Sequence, residues 1–543
     1  EMVFEGSDVL GDGVNIASRI QDHTDEGCIT ISGSVYRDIK NKSGIKAEFI
    51  GEKSFKNVEE PVKIYKVCCE DFVEEEMIEV SPVKEDKKSI AVLPFVNMSN
   101  DPEQEYFCDG ISEEIINALT HIERLKVIAR TSSFAFKGKN EDMREIGKKL
   151  DVGTLLEGSV RKAGKRLRIT AQLIKVSDGS HLWSERYDRE MKDVFEIQDE
   201  ISMGIVDKLK IQLFKQEKEK LLKNNTENVE AYKLYLKGQF EWYKRSEESM
   251  NKSIDYFQKA LEIDSRYTLA YTGIADAYIA LTDWGGLLTT VSLPKARDLL
   301  NKALKIDNNV AEIYFSLAYI DLCSWNPKGV EQNFQNTIRL NPNLAKAHHL
   351  YGLSNALLGD FDKALYHNAM ARELDPLSMI FNFSYGLILY FSHQIDHALI
   401  QFRKTQSFDN SFLPAILWST YCYILMEKPK EAVREFQKIV LQDSNSSELI
   451  SEVKNIYEAS GIKGFLSWMI KKGLNQYKRK HNLHYHKAIC FALLNKKDEA
   501  FECLTEGFEQ KSVRMTFIKY EPGLNNIKSD PRFKSFTDKI GIW

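Results

Sequence analysis

The chain has 543 residues, 43% of them hydrophobic and 28% charged, with a formal net charge of -5 and a pI near 6.2. At about 150 residues per domain this length predicts three or four globular domains of ordinary composition. The slightly acidic balance gives nucleic acid or an anionic membrane nothing to grip, and no run approaches the ~20 apolar residues of a spanning helix: the longest candidate, Met379 to Phe391, is interrupted by Asn382 and Ser384.

Residues 1–69 are punctuated by glycine, with an amphipathic segment near 13–22 and two alternating stretches, Cys28 to Ser32 and Val62 to Val67, that read as half-buried strands. Residues 70–88 carry eight acids against three lysines, plus Pro82, and predict a solvated acidic linker. Residues 89–222 are mixed α/β. Ile90 to Phe95 predicts a short buried strand, and Asp109 or Ser112 is expected to cap the next helix. Leu125 to Ala129 predicts a second strand. Leu167, Ile169, Ala171 and Leu173 share one face of an extended segment ending at the turn Ser177-Asp178-Gly179, and Asp193 opens a long helix. Asp109, Arg130, Glu157, Arg186 and Asp188 invite an active-site reading. Without nucleophile–base or metal-ligand spacing they read better as ion pairs and caps. Gly158 and Gly164 fit hairpin geometry, with no phosphate-loop pattern around them.

From residue 225 onward the chain repeats itself. Asp307, Asn341, Asp375, Asp409 and Asp443 follow one another at intervals of 34 residues, and Ala364, Ala398 and Ala432 keep the same beat. Asp264 precedes Asp307 by 43, so one repeat carries a nine-residue insertion near Trp284 to Leu293. A 34-residue period of helical stripes is the tetratricopeptide (TPR) pattern. The small residues let paired helices cross closely, and the Asp or Asn closes the second helix.

The eight cysteines are Cys28, Cys68, Cys69, Cys108, Cys323, Cys422, Cys490 and Cys503, with no C-x-x-C pair. Scattered thiols predict a reduced, cytoplasmic protein. His and Cys do not cluster at ligand spacing along the sequence, which argues against zinc.

The run Asp8-Val-Leu-Gly-Asp-Gly-Val-Asn15-Ile-Ala-Ser-Arg19 resembles the nucleotide-binding helix of class III nucleotidyl cyclases, and Phe49 to Tyr65 resembles the closing hairpin of that family's domain. The resemblance implies an adenylate cyclase chemistry: the 3′-hydroxyl of ATP attacks its own α-phosphorus, pyrophosphate leaves, and two Mg or Mn ions held by two aspartates assist. By resemblance Asn15 orients the ribose, Arg19 neutralises charge at the α-phosphate, Lys56 binds the terminal phosphates, and Asp8 reads the adenine amino group, favouring ATP over GTP. Asn15 and Arg19 stand four apart, on one helical face. Taken singly, they also fit an ordinary amphipathic helix. The metal-holding aspartates are not in this sequence, which opens at Glu1 inside the motif. The expectation is therefore a domain missing its first part, with the chain inactive alone and a homodimer formed only by the full-length protein.

Ser89 to Phe95, Glu105 to Ile111, Leu156 to Arg161 and His181 to Asp188 resemble the TolB N-terminal-like domain. The expected organisation is therefore multidomain: a partial α+β cyclase domain over 1–69, the linker 70–88, an α/β TolB-like domain over 89–222, and an all-α TPR superhelix over 223–543. Tetratricopeptide geometry, with repeats starting at Ala311, Ala345, Met379 and Leu413, puts Phe315, Tyr319, His349, Leu353, Phe383, Leu387, Tyr390, Leu417 and Tyr421 in the concave groove. An aromatic groove without a Lys/Asn clamp predicts an apolar helix or a neighbouring domain as ligand. The alternative is that these side chains pack only among the helices. For the whole chain two readings stay open: a cyclase with regulatory regions, or a non-enzymatic scaffold carrying a vestigial cyclase segment. A transcriptional regulator would need a basic winged-helix domain, and none is recognisable.

Overall fold

The computed structural model describes residues 3–5, 8–10, 20, 29–39, 46–55, 61–68, 88–99, 101–164, 166–222, 225–283, 288–324, 326–441, 446–476, 482–510 and 513–540. Its contacts divide the chain into two compact units, Glu1–Glu79 and Val80–Trp543.

In the first unit β1 (Val3–Glu5) and β2 (Asp8–Leu10) pair antiparallel. β3 (Ile29–Ser32), β4 (Lys46–Lys53) and β5 (Val62–Cys68) form an antiparallel sheet in the order β3-β5-β4. The alternating stretches become strands over Ile29–Ser32 and Val62–Cys68. Between β3 and β4 runs the short helix Gly33–Ile39. Its Tyr36 stacks on Tyr65 of β5 with ring centroids 4.0 Å apart. The unit's small core is Ile20, Phe55 and Ile64, with Val62 against it. Phe49 and Ile50 on β4 are half exposed. Apart from Ile20, the amphipathic segment 13–22 lies outside the described residues, as does the linker from 70 to 87.

The second unit opens with a six-stranded sheet in the order β11-β10-β9-β6-β8, with β7 (Val96–Asn97) also on β9. The central strand β6 (Lys88–Val92) is parallel to β8 (Leu125–Val127) and to β9 (Thr154–Ala163). β9, β10 (Arg166–Lys175) and β11 (His181–Glu190) form an antiparallel meander. Alternation along β6 explains its two faces. Ile90 and Val92 enter one core, with the helices Glu105–Thr120 and Val194–Lys208. Ala91 and its successor Leu93 enter the other, with the helix Met143–Leu150. Leu167, Ile169, Ala171 and Leu173 are all fully buried, as their spacing predicts. Gly179 takes its φ of 72° in the predicted turn. Gly158 lies inside β9, where a Cβ would come within 2.6 Å of the Thr170 carbonyl and 2.7 Å of the Phe95 ring. One expectation is corrected: Asp109 and Ser112 do not cap the helix but sit within it. It starts earlier because Asp101 caps a preceding 3-10 turn, Pro102–Gln104, that leads into it. The Ser112 hydroxyl is occupied instead, donating to the Cys108 carbonyl and accepting from Phe95 N.

From residue 229 the unit is built of helix pairs. Ala311–Cys323 pairs with Pro327–Leu340, Ala345–Leu358 with Phe361–Leu374, Met379–Phe391 with Ile395–Phe408, and Leu413–Leu425 with Pro429–Val440. The first helices begin at the four positions that the 34-residue beat predicts. Close crossing needs glycine where Phe257 is wedged: a Cβ on Gly238 or Gly273 would lie 2.5 or 2.6 Å from its ring. The repeat with the insertion has the longer second helix Thr289–Ile306, with Pro294 inside it. Among the described residues beyond Val440 the pattern degenerates into a helix bent at Gly461, the pair Leu483–Leu493 and Lys497–Glu509, three 3-10 turns and a last helix, Pro531–Ile540. A single buried cluster runs from Ile90 through Ile320, so the α/β module and the first repeats share one core across residue 222.

Candidate functional site

Of the cyclase-like residues, Asp8 falls in β2, while Asn15, Arg19 and Lys56 lie outside the described residues. What the structure does show is their chain neighbours. Ile20, next to Arg19, and Phe55, next to Lys56, are both buried and share one cluster with Ile64. Among the described residues of the first unit, no three His, Cys, Asp or Glu donors gather at metal-ligand distance.

The α/β module's tempting charges do not converge. Asp109 accepts from Lys137 Nζ at 2.6 Å, and Lys137 also meets Glu105 at 2.7 Å. Asp188 pairs across strands with Arg168 at 2.5 Å, both partly exposed. Arg130 Nε lies 3.2 Å from Glu113, and its guanidinium stacks over Phe134 at 4.0 Å and Tyr243 at 3.6 Å. Tyr243 Oη donates to Glu113 at 2.5 Å. This last group joins the module to the first repeat helix, Val229–Tyr243.

That contact belongs to a longer seam, which the array builds from its own repeat-closing turns. At Asp264, Asp307 and Asp409 the chain leaves helical conformation. There the side-chain Oδ1 accepts from the backbone N–H two residues on, at 3.0, 2.9 and 2.8 Å. Asp375 is different. The backbone N–H two residues on, that of Leu377, donates to Ser132 Oγ at 2.9 Å. Ser132 Oγ in turn donates a short hydrogen bond to Asp375 Oδ1, and Ser132 N adds another at 3.0 Å. A serine of the α/β module is thus inserted into the turn. Ala129 N also donates to the Leu374 carbonyl at 2.8 Å. Burial pushes the Asp375 carboxyl up to about 6 against these bonds.

One repeat earlier, Asn341 keeps its own turn, with Asn343 N donating to Oδ1 at 3.2 Å, and adds Nδ2 to Thr120 Oγ1 at 3.0 Å. Asn343 Nδ2 donates to the Thr120 and Ile122 carbonyls, both at 3.0 Å. Lys220 Nζ donates to the Leu340 carbonyl at 3.0 Å, and His121 Nδ1 approaches it at 3.1 Å. A cavity of about 80 Å³ beside this seam is lined by Glu114, Asn117, His121, Lys220 and Glu312. Burial, with the negative charges of Glu113 and Glu312 beside it, pushes Glu114 up to about 8.

The predicted groove residues are placed otherwise than the groove reading expects. Phe383, Leu387, Tyr390 and Tyr421 are buried, at 5%, 4%, 0% and 1% exposure. Leu417 and His349 are buried as well. Only Phe315, Tyr319 and Leu353 remain partly exposed, and Lys346 covers the Phe315 ring at 4.3 Å. The chain's own C-terminal part occupies the face. Tyr390 Oη donates to Glu521 Oε1 at 2.6 Å, Tyr485 Oη to Glu521 Oε2 at 2.5 Å, and Gly523 N to Glu521 Oε1 at 2.9 Å. Phe391 stacks on Phe517 at 4.6 Å, and Tyr421 stacks on His486. An aromatic stripe predicts that something apolar covers it. It does not say that the cover lies 131 residues along the same chain.

Residues 86–204 match the family "HilA/YgeH-like transcriptional regulator, second domain". The chain is 38% identical over 325 residues to a Rhizobium meliloti (strain 1021) protein named "Putative adenylate cyclase 3". That match covers 59% of this chain and 55% of the relative, so the chain spans about half the relative's length. Among solved structures, YrrB, titled "a TPR protein with an unusual peptide-binding site", is 22% identical, with 37% of this chain and 97% of that chain covered and a TM-score of 0.29. A tetratricopeptide repeat protein of Parabacteroides merdae ATCC 43184 is 11% identical, covering 55% and 99%, with a TM-score of 0.34. At scores this low the likeness decides nothing, and the repeat stands on the chain's own helix pairs. No helix among the described residues is long and apolar enough to cross a membrane.

Proposed function

We propose that this chain belongs to an adenylate cyclase of the class III type and that residues 80–543 are its regulatory body. In this reading Asp8, Asn15, Arg19 and Lys56 take up ATP, and the metal-holding aspartates come from outside these 543 residues. Two observations support it together: the relative named as an adenylate cyclase, and the packing of Ile20 with Phe55. Ile20 and Phe55 are the chain neighbours of Arg19 and Lys56. Asn15 and Arg19 would hold the ribose and the charge that grows at the α-phosphorus. Donors of this kind are worth about 10²–10³ in rate.

The regulatory body has the α/β module locked to the array by the 341 and 375 turns. A signal that alters either partner therefore acts on the whole body. The tetratricopeptide assignment, an apolar protein segment or peptide as external ligand, a cytoplasmic location and a homodimer through paired cyclase domains belong to the same reading. The module match to a domain of transcriptional regulators favours one refinement: the module is a general regulatory unit that serves outputs other than cyclases. The TolB-like resemblance of the same segment points the same way. The second reading, a non-enzymatic scaffold, draws on the size of the helical array.

The test is conversion of ATP to cyclic AMP by the gene's complete product with Mg or Mn, beside Asn15→Ala and Arg19→Ala. Activity that falls about 10²–10³-fold in each variant supports the cyclase reading. A complete product that makes no cyclic nucleotide with either metal supports the scaffold.

A further inference from the structure

The last helix pair brings together three side chains that the sequence keeps apart. His484 lies in the first turn of Leu483–Leu493, while Cys503 and Glu506 stand three apart on one face of Lys497–Glu509. A ring nitrogen of His484, Cys503 Sγ and a Glu506 carboxylate oxygen all lie within 4.8 Å of one another. Cys503 is 8% exposed, whereas Glu506 is half exposed and leaves the group open to solvent on one side. We propose that His484, Cys503 and Glu506 form a binding site for one zinc(II) ion, with solvent as the fourth ligand.

Three arguments carry it. The donor set is nitrogen, sulfur and oxygen, the mixture that zinc takes and that magnesium and calcium do not. Around a tetrahedral zinc, with bonds of about 2.0–2.3 Å, neighbouring donors stand roughly 3.3–3.7 Å apart, a spacing that rotamer adjustments within this cluster can reach. Second, His484 Nδ1 is 2.6 Å from Glu506 Oε2, yet it is a buried atom without a hydrogen bond of acceptable geometry. Zinc would replace this close contact and part the nitrogen and the oxygen to about 3.3 Å. Third, the imidazole's other nitrogen is already tethered. Nε2 lies 3.1 Å from Gln510 Nε2, and turning that amide over would let Nε2–H donate to its oxygen, as metal-bound histidines do. Met515 Sδ packs against Gly507 beside the His484 side chain and walls the site on its inner side.

Burial pushes the Cys503 thiol up to about 11, so without the ion it is neutral. Binding zinc replaces the S–H bond by an S–Zn bond and releases that proton to solvent. Around the thiol stand Lys487, Glu499, Glu502 and Glu506. The site would clamp the helix whose next two residues, Tyr485 and His486, hold Glu521 and Tyr421. Zinc occupancy would thereby set how firmly the C-terminal cover sits on the array.

The experiment is titration of the metal-free full chain with Co(II), followed by displacement with Zn(II), beside Cys503→Ser, His484→Ala and Gln510→Ala. The proposal expects one equivalent bound, with a thiolate-to-cobalt band and tetrahedral visible bands. Both should be lost in Cys503→Ser and His484→Ala, with affinity down about 10–100-fold in Gln510→Ala. Zinc should raise the melting temperature of the parent and leave that of Cys503→Ser unchanged. If circular dichroism shows Cys503→Ser folded and it binds cobalt with the parent's spectrum, the proposal is wrong. The absence of any thiolate-to-cobalt band in the parent overturns it equally.

Discussion

Two turns of the array look interchangeable in the sequence and are not. Asp307 closes a helix and satisfies the backbone two residues on by itself. Asp375, in the same place two repeats later, gives up that role to Ser132 and takes a bond from it. Both carboxylates end a helix, and Asp375 is joined to another module through Ser132. A repeat element can thus be reused as a docking element without any change of residue type. What decides its role is the presence of a hydroxyl brought by the Arg130–Phe134 helix. Two stretches of the array make the same point. The 341 and 375 turns hold the α/β module, while the helices Met379–Phe391 and Leu413–Leu425 are covered by the chain's own C-terminal segment.

The strongest way to break this picture is at the C-terminal cover. Glu521→Ala leaves three buried donors without an acceptor and should cost about 3–5 kcal/mol in urea unfolding. Glu521→Gln keeps one carbonyl and should cost less. Equal effects would mean that the carboxylate does not organise the cover.

At the docking turn the expected effects are smaller. Ser132→Ala removes the inserted hydroxyl and should cost about 1–3 kcal/mol. Asp375→Asn, which places there the residue found at 341, keeps an acceptor and should stay within about 1 kcal/mol. The ordering of the two variants is the check, because a turn independent of the module would tolerate Ser132→Ala.

A separate effect is one of pH. Glu114 has a folded pKa of about 8, above the unfolded value of about 4.5. Between those values the folded chain holds a proton that the unfolded chain has lost, so stability falls as pH rises from about 4.5 to about 8. Glu114→Gln should flatten that part of the melting-temperature profile. A variant profile parallel to the parent's would show that the Glu114 carboxyl is solvated.

Much of the architecture was legible because it is local. The 34-residue beat placed four helix starts, and the alternation of Leu167 to Leu173 placed the buried face of β10. The site relations were less legible because they are distant in the chain. The groove aromatics of Met379–Phe391 predict an apolar ligand, not that the same chain supplies it. Nothing in the spacing of Ser132 and Asp375, 243 residues apart, signals that they meet. His484 and Cys503 escape any spacing rule for metal ligands because the pairing of two helices, rather than a short loop, brings them together. Asp109 and Ser112 were misread as caps because the real start signal, Asp101 with Pro102, stood one 3-10 turn earlier.

The central claim is that the α/β module and the array form one body through the 375 turn. Hydrogen exchange of the full chain, parent against Asp375→Leu, tests it most directly. The account predicts faster exchange in residues 374–377 and, together with it, in 129–134 across the seam, with Pro429–Val440 unchanged. Faster exchange confined to 374–377 would contradict it.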